Sequence, residues 1–193
     1  MNEEPKRFSW LVCGGFCLLA AVLRIGGLGD EALFFDEYLT SLHCAQNNFL
    51  DFLRQAVHFE SISPLGFVPI WLFVRLWGDT PFVLRLPSAL FGIAMVWAMM
   101  RLLFETRQAD VKAMAVMGLL VALNPYHIYY SQEARPYALL VLLIACHLIF
   151  ALRVRFATGA APRVPDLVGF LGTAALMVAT HYFATILLAF SFL

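Results

Sequence analysis

The sequence predicts an all-α fold, a polytopic transmembrane helix bundle, and three observations carry that expectation. Hydrophobic residues make up 62% of the chain and charged residues only 13%, about half the charged share of an ordinary soluble domain. The mean hydropathy is +0.79. The apolar residues are also gathered into runs close to the roughly 20 residues that cross a bilayer core, at 8–28, 82–104, 112–130, 136–153 and 167–192. Net charge is zero, so no basic field points to nucleic acid as a partner. The bilayer itself is the expected surrounding.

The first run follows Lys6 and Arg7 and is closed by Arg24, with no small-x-small cleavage pattern after it. It reads as an uncleaved anchor with a cytoplasmic N-terminus. A long loop, 29–80, separates it from the second run. Within the loop, "EYLTSLHCAQNNFLDFLRQAVHF" places Leu39, Leu42, Phe49, Leu50, Phe52, Leu53 and Val57 at mixed helical spacings. That pattern predicts one or two amphipathic helices on the membrane surface. The stretch 64–78 is apolar but short, and it contains two prolines and Arg75. The distribution of basic residues decides its topology. If it does not cross, the inside carries Lys6, Arg7, Arg101, Arg107, Lys112, Arg153, Arg155 and Arg163, eight of the thirteen Lys and Arg. If it crosses, the balance inverts. The first arrangement is the expected one, and it puts loop 29–80 and "SQEARPY" on the external face of an inner-membrane protein. "RVRFATGAAPRVPDL" is then a cytoplasmic turn. Cys13, Cys17 and Cys146 lie in apolar runs and Cys44 in a polar stretch, without a CxxC or His/Cys ligand pattern. All four read as free thiols.

Five polar groups interrupt this apolar chain, each with a structural and a functional reading. "LFFDEYLTS" presents Asp36 and Glu37 at the outer mouth of the first span, as a solvated helix start or as a general base or metal ligand. "HFESISPL" holds His58 and Glu60 before Pro64. These are residues of a polar loop, with Ser63 capping a helix, or substrate and metal contacts. Arg85 stands one turn inside the second run, snorkelling to the interface or offering an anion site at a helix N-terminus. "YYSQEARPYALL" combines Glu133, Arg135 and Tyr137, with Pro136 in the first turn of a returning helix and Glu133 and Tyr137 on one face. It is an interface ion pair or half of a site for an anionic group. His181 and Tyr182 in "ATHYFATILL" fall within the last run, where a histidine hydrogen-bonded to a neighbouring helix competes with a functional one. His127 and His147 read as structural. No internal repeat and no broken pair of repeats of the transporter kind is visible.

Taken in order, "LRIGGLGDEALFFDEYLTS", "SPLGFVPIWLFVRLWGDTPFVLRLPSALFG", "NPYHIYYSQEARPYALLVLL" and "THYF" resemble the N-terminal part of bacterial C-type (GT-C) membrane glycosyltransferases. The branch is that of the protein O-mannosyltransferases and the aminoarabinose and lipopolysaccharide-core sugar transferases. The resemblance covers nearly the whole chain. It implies an inverting transfer from a polyprenyl-phosphate-linked sugar to a lipid, glycan or protein acceptor at the external face. By resemblance Asp36 is the general base and Glu37 orients it or the acceptor. Arg85 and Arg135 hold the lipid phosphate. Glu133, Tyr137, His181, Tyr182 and Arg24 belong to the substrate region. Some members of the family bind a divalent ion, for which Asp36, Glu133, His58 and Glu60 are the candidate ligands. The family's His-Pro-Pro-Leu is replaced here by "SISPL", with Ser63 at the histidine position, which weakens a metal role there. Members of the family are more than twice as long, so the chain reads as its front part. The competing reading is a non-catalytic membrane protein that binds a lipid phosphate or acts as a scaffold.

Overall fold

The computed structural model describes residues 9–60, 63–106, 110–157 and 161–191. Lys6, Arg7, Ile62 and Arg107 lie outside them. The described residues form ten α-helices, a 3-10 turn and no strand. The helices are α1 (Trp10–Ile25), α2 (Phe35–Cys44), α3 (Phe49–Phe59), α4 (Val68–Trp77), α5 (Pro81–Glu105), α6 (Val111–Leu123), α7 (Pro125–Ser131), α8 (Tyr137–Arg155), α9 (Val164–Thr180) and α10 (Ala184–Ser191). The 3-10 turn, Pro64–Phe67, leads into α4.

Two helices, α5 and α8, are long and apolar enough to cross a membrane, and the bent pair α6–α7 makes a third if counted as one span. Helix α1, the segment Pro64–Trp77 and α9 are apolar but shorter. The expected run 112–130 is therefore two helices meeting at 58°. The expected run 167–192 is likewise interrupted, because α9 ends at Thr180 and α10 begins at Ala184. Helix α5 is the central post, packing on α1, α4, α6, α7 and α8. Thr80 caps its first turn by accepting from the Val83 amide at 3.3 Å, and Pro81 occupies the position where a missing N–H costs nothing.

Charged residues sit at the two ends of α5. Arg85 is near its start. Sixteen residues on, or about 24 Å along a helix, Arg101 begins a second cluster. There Glu105 accepts from Arg101 at 2.6 Å and from Arg153 of α8 at 2.7 Å, and Arg153 lies 3.7 Å from Asp166 of α9. The spacing of these two polar layers is close to the thickness of a bilayer's hydrocarbon core.

The α6–α7 break follows from one residue. Pro125 has no N–H, so the Val121 carbonyl loses its helical partner. Asn124 starts a new helix there, its side chain accepting from the His127 amide at 2.9 Å. The freed carbonyls of Val121 and Ala122 each receive a hydrogen bond from Arg24, at 3.2 Å. Helix α7 then passes so close to α5 that a Cβ at Gly92 would lie 2.1 Å from Ser131 Oγ. Helices α2, α3 and α4 and the 3-10 turn form a separate layer at the Arg85 end of α5. Its core holds Phe52, Ala56, Phe67, Ile70 and Val74 packed against Val83 and Leu84 of α5. Within that layer Phe52 stacks on Trp71, whose indole N–H donates to the Gln46 carbonyl. The amphipathic stretch is thus two helices. Phe52 and Ala56 turn inward, while Phe49, Leu50, Val57 and Phe59 remain exposed.

The close approach at Gly92 makes a measurable prediction. Gly92→Ala is expected to destabilise the protein by about 1–3 kcal/mol through overpacking. The added Ser131→Gly change, which removes the clashing side chain, is expected to restore part of that loss. Thermal unfolding of the three variants in detergent micelles checks both, and a Gly92→Ala protein as stable as the parent would contradict the packing.

Candidate functional site

Glu37 and Arg85 meet at the centre of the layer junction, only 2% and 4% exposed. Helix α2 positions Glu37 in its first turn, where the carboxylate reaches back to the Phe34 amide at 3.1 Å. Helix α5 presents Arg85 one turn from its start. The Arg85 Nε donates to Glu37 Oε1 at 2.8 Å and Nη2 to Oε2 at 2.7 Å, a bidentate pair. Nη1 donates to the carbonyls of Leu28 and Glu31, and Nη2 also to that of Ala32. A guanidinium has five N–H groups, and all five are used. Glu37 Oε1 additionally accepts from the Ala134 amide at 2.9 Å. Burial works to raise the Glu37 carboxyl, but Arg85 together with the Ala134 and Phe34 amides holds it below its ordinary value.

This changes the roles expected of both residues. Arg85 has no donor left for a phosphate, and Glu37 has no oxygen lone pair turned to a substrate. Together they tie the turn after α1, the start of α2, α5 and the 132–136 segment into one junction. Asp36, the neighbour of Glu37, is exposed on the same first turn of α2. Its charge reaches both Glu60 and Glu133.

Arg135 is buried differently. Its Nη1 donates to Glu60 Oε1 at 2.6 Å, its guanidinium lies over Phe67 at 5.3 Å and Tyr137 at 5.9 Å, and its Nε has no hydrogen-bond partner among the described residues. Burial pushes the Glu60 carboxyl up, Arg135 pulls it back, and the Asp36 charge pushes it up again, leaving it raised. The Arg135 backbone is pinned by Ser88 of α5, whose hydroxyl donates to its carbonyl at 3.1 Å. Residues 132–136 are not helical, so Glu133 and Tyr137 do not share a helix face as expected. Glu133 instead lines the same cleft as Tyr129, one helical turn earlier, and its carboxyl is raised, first by burial. Tyr137 turns toward Arg135 and His181, whose ring lies 6.2 Å away. His181 sits at the α9–α10 interruption, not inside a continuous span, and Tyr182 beside it is exposed. Gly66 lets the 3-10 turn enter this corner, since a Cβ there would lie 2.8 Å from the Thr180 carbonyl and 2.9 Å from Pro136. Ser63 does not cap that turn with its side chain.

Arg24, expected in the substrate region, spends its hydrogen bonds inside the bundle. It is fully buried, and its partners are the Ala20, Val121 and Ala122 carbonyls and His127 Nδ1 at 2.8 Å. It serves the α6–α7 break. His58 is exposed and rests against Phe59. Among the described residues no three His, Cys, Asp or Glu side chains gather into a metal-ligand set, so Asp36, Glu133, His58 and Glu60 do not fit a divalent ion here. The four cysteines are free thiols, as expected.

A cleft of about 320 Å³ opens beside the junction, lined by Asp30, Glu31, Tyr129, Gln132, Glu133 and the edge of Arg85 among others. Gln132 anchors one wall by donating to the last carbonyls of α1, those of Leu23 and Arg24 at 3.3 and 3.4 Å. Sequence reasoning missed Gln132, Ser88, Tyr129 and His43. Only Tyr129 carried a signal, its i−4 spacing from Glu133. His43 is fully buried between Phe67, at 4.9 Å, and Phe52, with neither ring nitrogen hydrogen-bonded among the described residues. Burial first, and then the Arg135 charge, pushes its pKa down to about 4. No family model, curated protein or solved structure matches the chain.

Two predictions follow from this geometry. Arg85→Lys is expected to cost about 3 kcal/mol or more, as for a broken buried ion pair, because three ammonium donors cannot serve five acceptors. A loss of roughly 6–12 °C in Tm would report it, and an unchanged Tm would contradict the junction. For His43, the unfolded chain takes up a proton near its ordinary 6.5 and the folded one only near 4. Between those values the unfolded state binds more protons, so stability falls as pH falls. The loss by pH 4 is about 3 kcal/mol. Melting curves from pH 7 to pH 4 in micelles are expected to show this slope in the parent and a flatter one in His43→Leu.

Proposed function

We propose that this chain takes part in inverting glycosyl transfer from a polyprenyl-phosphate-linked sugar to an acceptor hydroxyl at the external face of the cytoplasmic membrane. In this reading it belongs to a bundle of about five spans whose N-terminus is cytoplasmic. The observation that supports it most is the placing of Asp36. It is an exposed carboxylate next to the buried Glu37–Arg85 junction, within electrostatic reach of Glu60 and of Glu133, which lines the acidic cleft.

In this reading Asp36 accepts the proton of the acceptor hydroxyl as that oxygen forms a bond to the anomeric carbon. The bond from the anomeric carbon to the phosphate oxygen breaks from the opposite side, and its electron pair leaves with the lipid phosphate. Arg135, with a donor unspent at Nε, stabilises that phosphate, a role that gains strength where water is scarce. Glu37 and Arg85 do no chemistry. They are positioning residues that hold Asp36 against the segment carrying Glu133 and Arg135.

The test uses membranes carrying the chain and a polyprenyl-phosphate-linked radioactive hexose. Asp36→Asn is expected to lower transfer of label by roughly 10²–10⁴-fold, the usual worth of a positioned general base, while retention of polyprenyl phosphate, followed by native mass spectrometry, stays at the parent level. Arg135→Met is expected to lose that retention. Parental transfer by Asp36→Asn would remove the base assignment. Retention of lipid phosphate without transfer by the parent would leave the alternative, a non-catalytic lipid-phosphate binder.

A further inference from the structure

Four of the chain's six tyrosines fall between residues 126 and 137. The α6–α7 break brings them together. Tyr129 and Tyr130 meet edge to face at 5.3 Å, and Tyr130 and Tyr137 at 5.6 Å. Tyr126 is 76% exposed, and Tyr129 and Tyr130 are exposed beside it. An aromatic belt at a membrane interface spreads its rings around the bundle. Here the rings converge on two adjoining grooves. One, of about 580 Å³, is walled by Tyr126, Tyr130 and Tyr137 with His127, and the other, of about 530 Å³, by Tyr126, Tyr129 and Tyr130. Tyr129 lines both the second groove and the acidic cleft, so that groove and the cleft share a wall.

The polar atoms in this aromatic surface identify the kind of ligand. Arg24 is always protonated and donates to His127 Nδ1 at 2.8 Å. Nδ1 is therefore the acceptor nitrogen and the ring proton sits on Nε2. That N–H belongs to a groove-lining residue and has no hydrogen-bond partner among the described residues. A hydrocarbon tail laid in the groove would leave it, and the tyrosine hydroxyls, without partners. An anionic group would face the carboxylates of Asp30, Glu31 and Glu133 in the adjoining cleft. A neutral, hydroxyl-rich ring with an apolar C–H face fits both requirements. Its C–H groups match the negative faces of the tyrosine rings, and its hydroxyls donate to carboxylates and accept from His127.

We propose that Tyr126, Tyr129 and Tyr130, with His127, form a saccharide-binding platform that delivers a sugar hydroxyl to the acidic cleft at Glu133, within electrostatic reach of Asp36. This rests on the glycosyl-transfer reading for its purpose and deepens it, because it makes the acceptor a carbohydrate chain and not a protein or a simple lipid. The platform residues recognise the acceptor and take no part in the proton transfer.

The experiment is saturation-transfer NMR on the full chain in lipid nanodiscs, with maltotriose, mannotriose and chitotriose as probes and farnesol as competitor. At least one trisaccharide is expected to receive saturation. Tyr126→Ala and Tyr129→Ala, both at exposed positions, are expected to weaken it at least tenfold, whereas Tyr126→Phe keeps it. Saturation of none of the three sugars overturns the proposal. So does binding that survives both alanine changes, or a groove held by farnesol that no sugar displaces. Sugar binding without transfer in the radioactive assay sinks the transfer reading and leaves the platform standing. Transfer to an endogenous acceptor that carries no sugar does the reverse.

Discussion

The pairing of Glu37 with Arg85 is the constraint on which the rest of this end of the molecule depends. Removing two charges from water costs several kcal/mol per ion, and a bare ion pair seldom recovers that. Here the cost is offset because no polar atom of the pair is left over. Arg85 satisfies three carbonyls of the turn after α1 as well as the carboxylate. Glu37 satisfies two amides, one from its own helix start and one from Ala134. Those groups lie in two stretches, residues 28–34 and residue 134, and none has a helical partner of its own. The pair therefore replaces the backbone hydrogen bonds that irregular segments cannot make for themselves. Asp36 and Glu133 hold their relative places because they flank it.

Arg24 solves a similar problem without a carboxylate. The break at Pro125 releases carbonyls at the C-terminal end of α6, where the helix dipole is negative, and the guanidinium meets them there together with His127. Helix α7 thereby leaves the α6 axis at 58° and carries Tyr126, Tyr129 and Tyr130 toward the cleft. A straight helix over 112–130 would have spread those rings along the bilayer. The two buried arginines thus divide the work, one joining the loops and the other aiming the helix that stands beside them.

Much of this was legible in the chain. Apolar run length located α5 and α8, and the unusual carboxylates and arginines pointed to one end of the bundle. What was not legible is how the charges pair. Local sequence sets Glu133 two residues from Arg135 and Asp36 next to Glu37, so each looked like part of a local pair. In the fold Arg135 goes to Glu60 and Arg85 to Glu37, across separations of 75 and 48 residues. No periodicity carries that information. The breaks at Asn124–Pro125 and His181–Phe183 were hidden for another reason. Hydropathy averaged over a span is nearly blind to a single lost N–H, and the proline that signals the first break sits in a run otherwise apolar enough to pass as continuous.

The unequal states of the two arginines bear on how such a site is able to handle charge. With Arg85 saturated, the cleft beside it presents Asp30, Glu31 and Glu133 and no free cation. Arg135 does not line that cleft; it pairs with Glu60, and its Nε has no hydrogen-bond partner among the described residues. In the proposed reaction the negative charge develops on the leaving phosphate, and the attacking partner is a neutral hydroxyl. An arrangement that attracts anions equally on both sides would bind the lipid phosphate in either orientation. One that is acidic toward the tyrosine grooves and basic only at Arg135 allows a single orientation, with the anomeric carbon between the two. By pairing with Glu37 and spending every donor, Arg85 leaves the cleft beside it acidic.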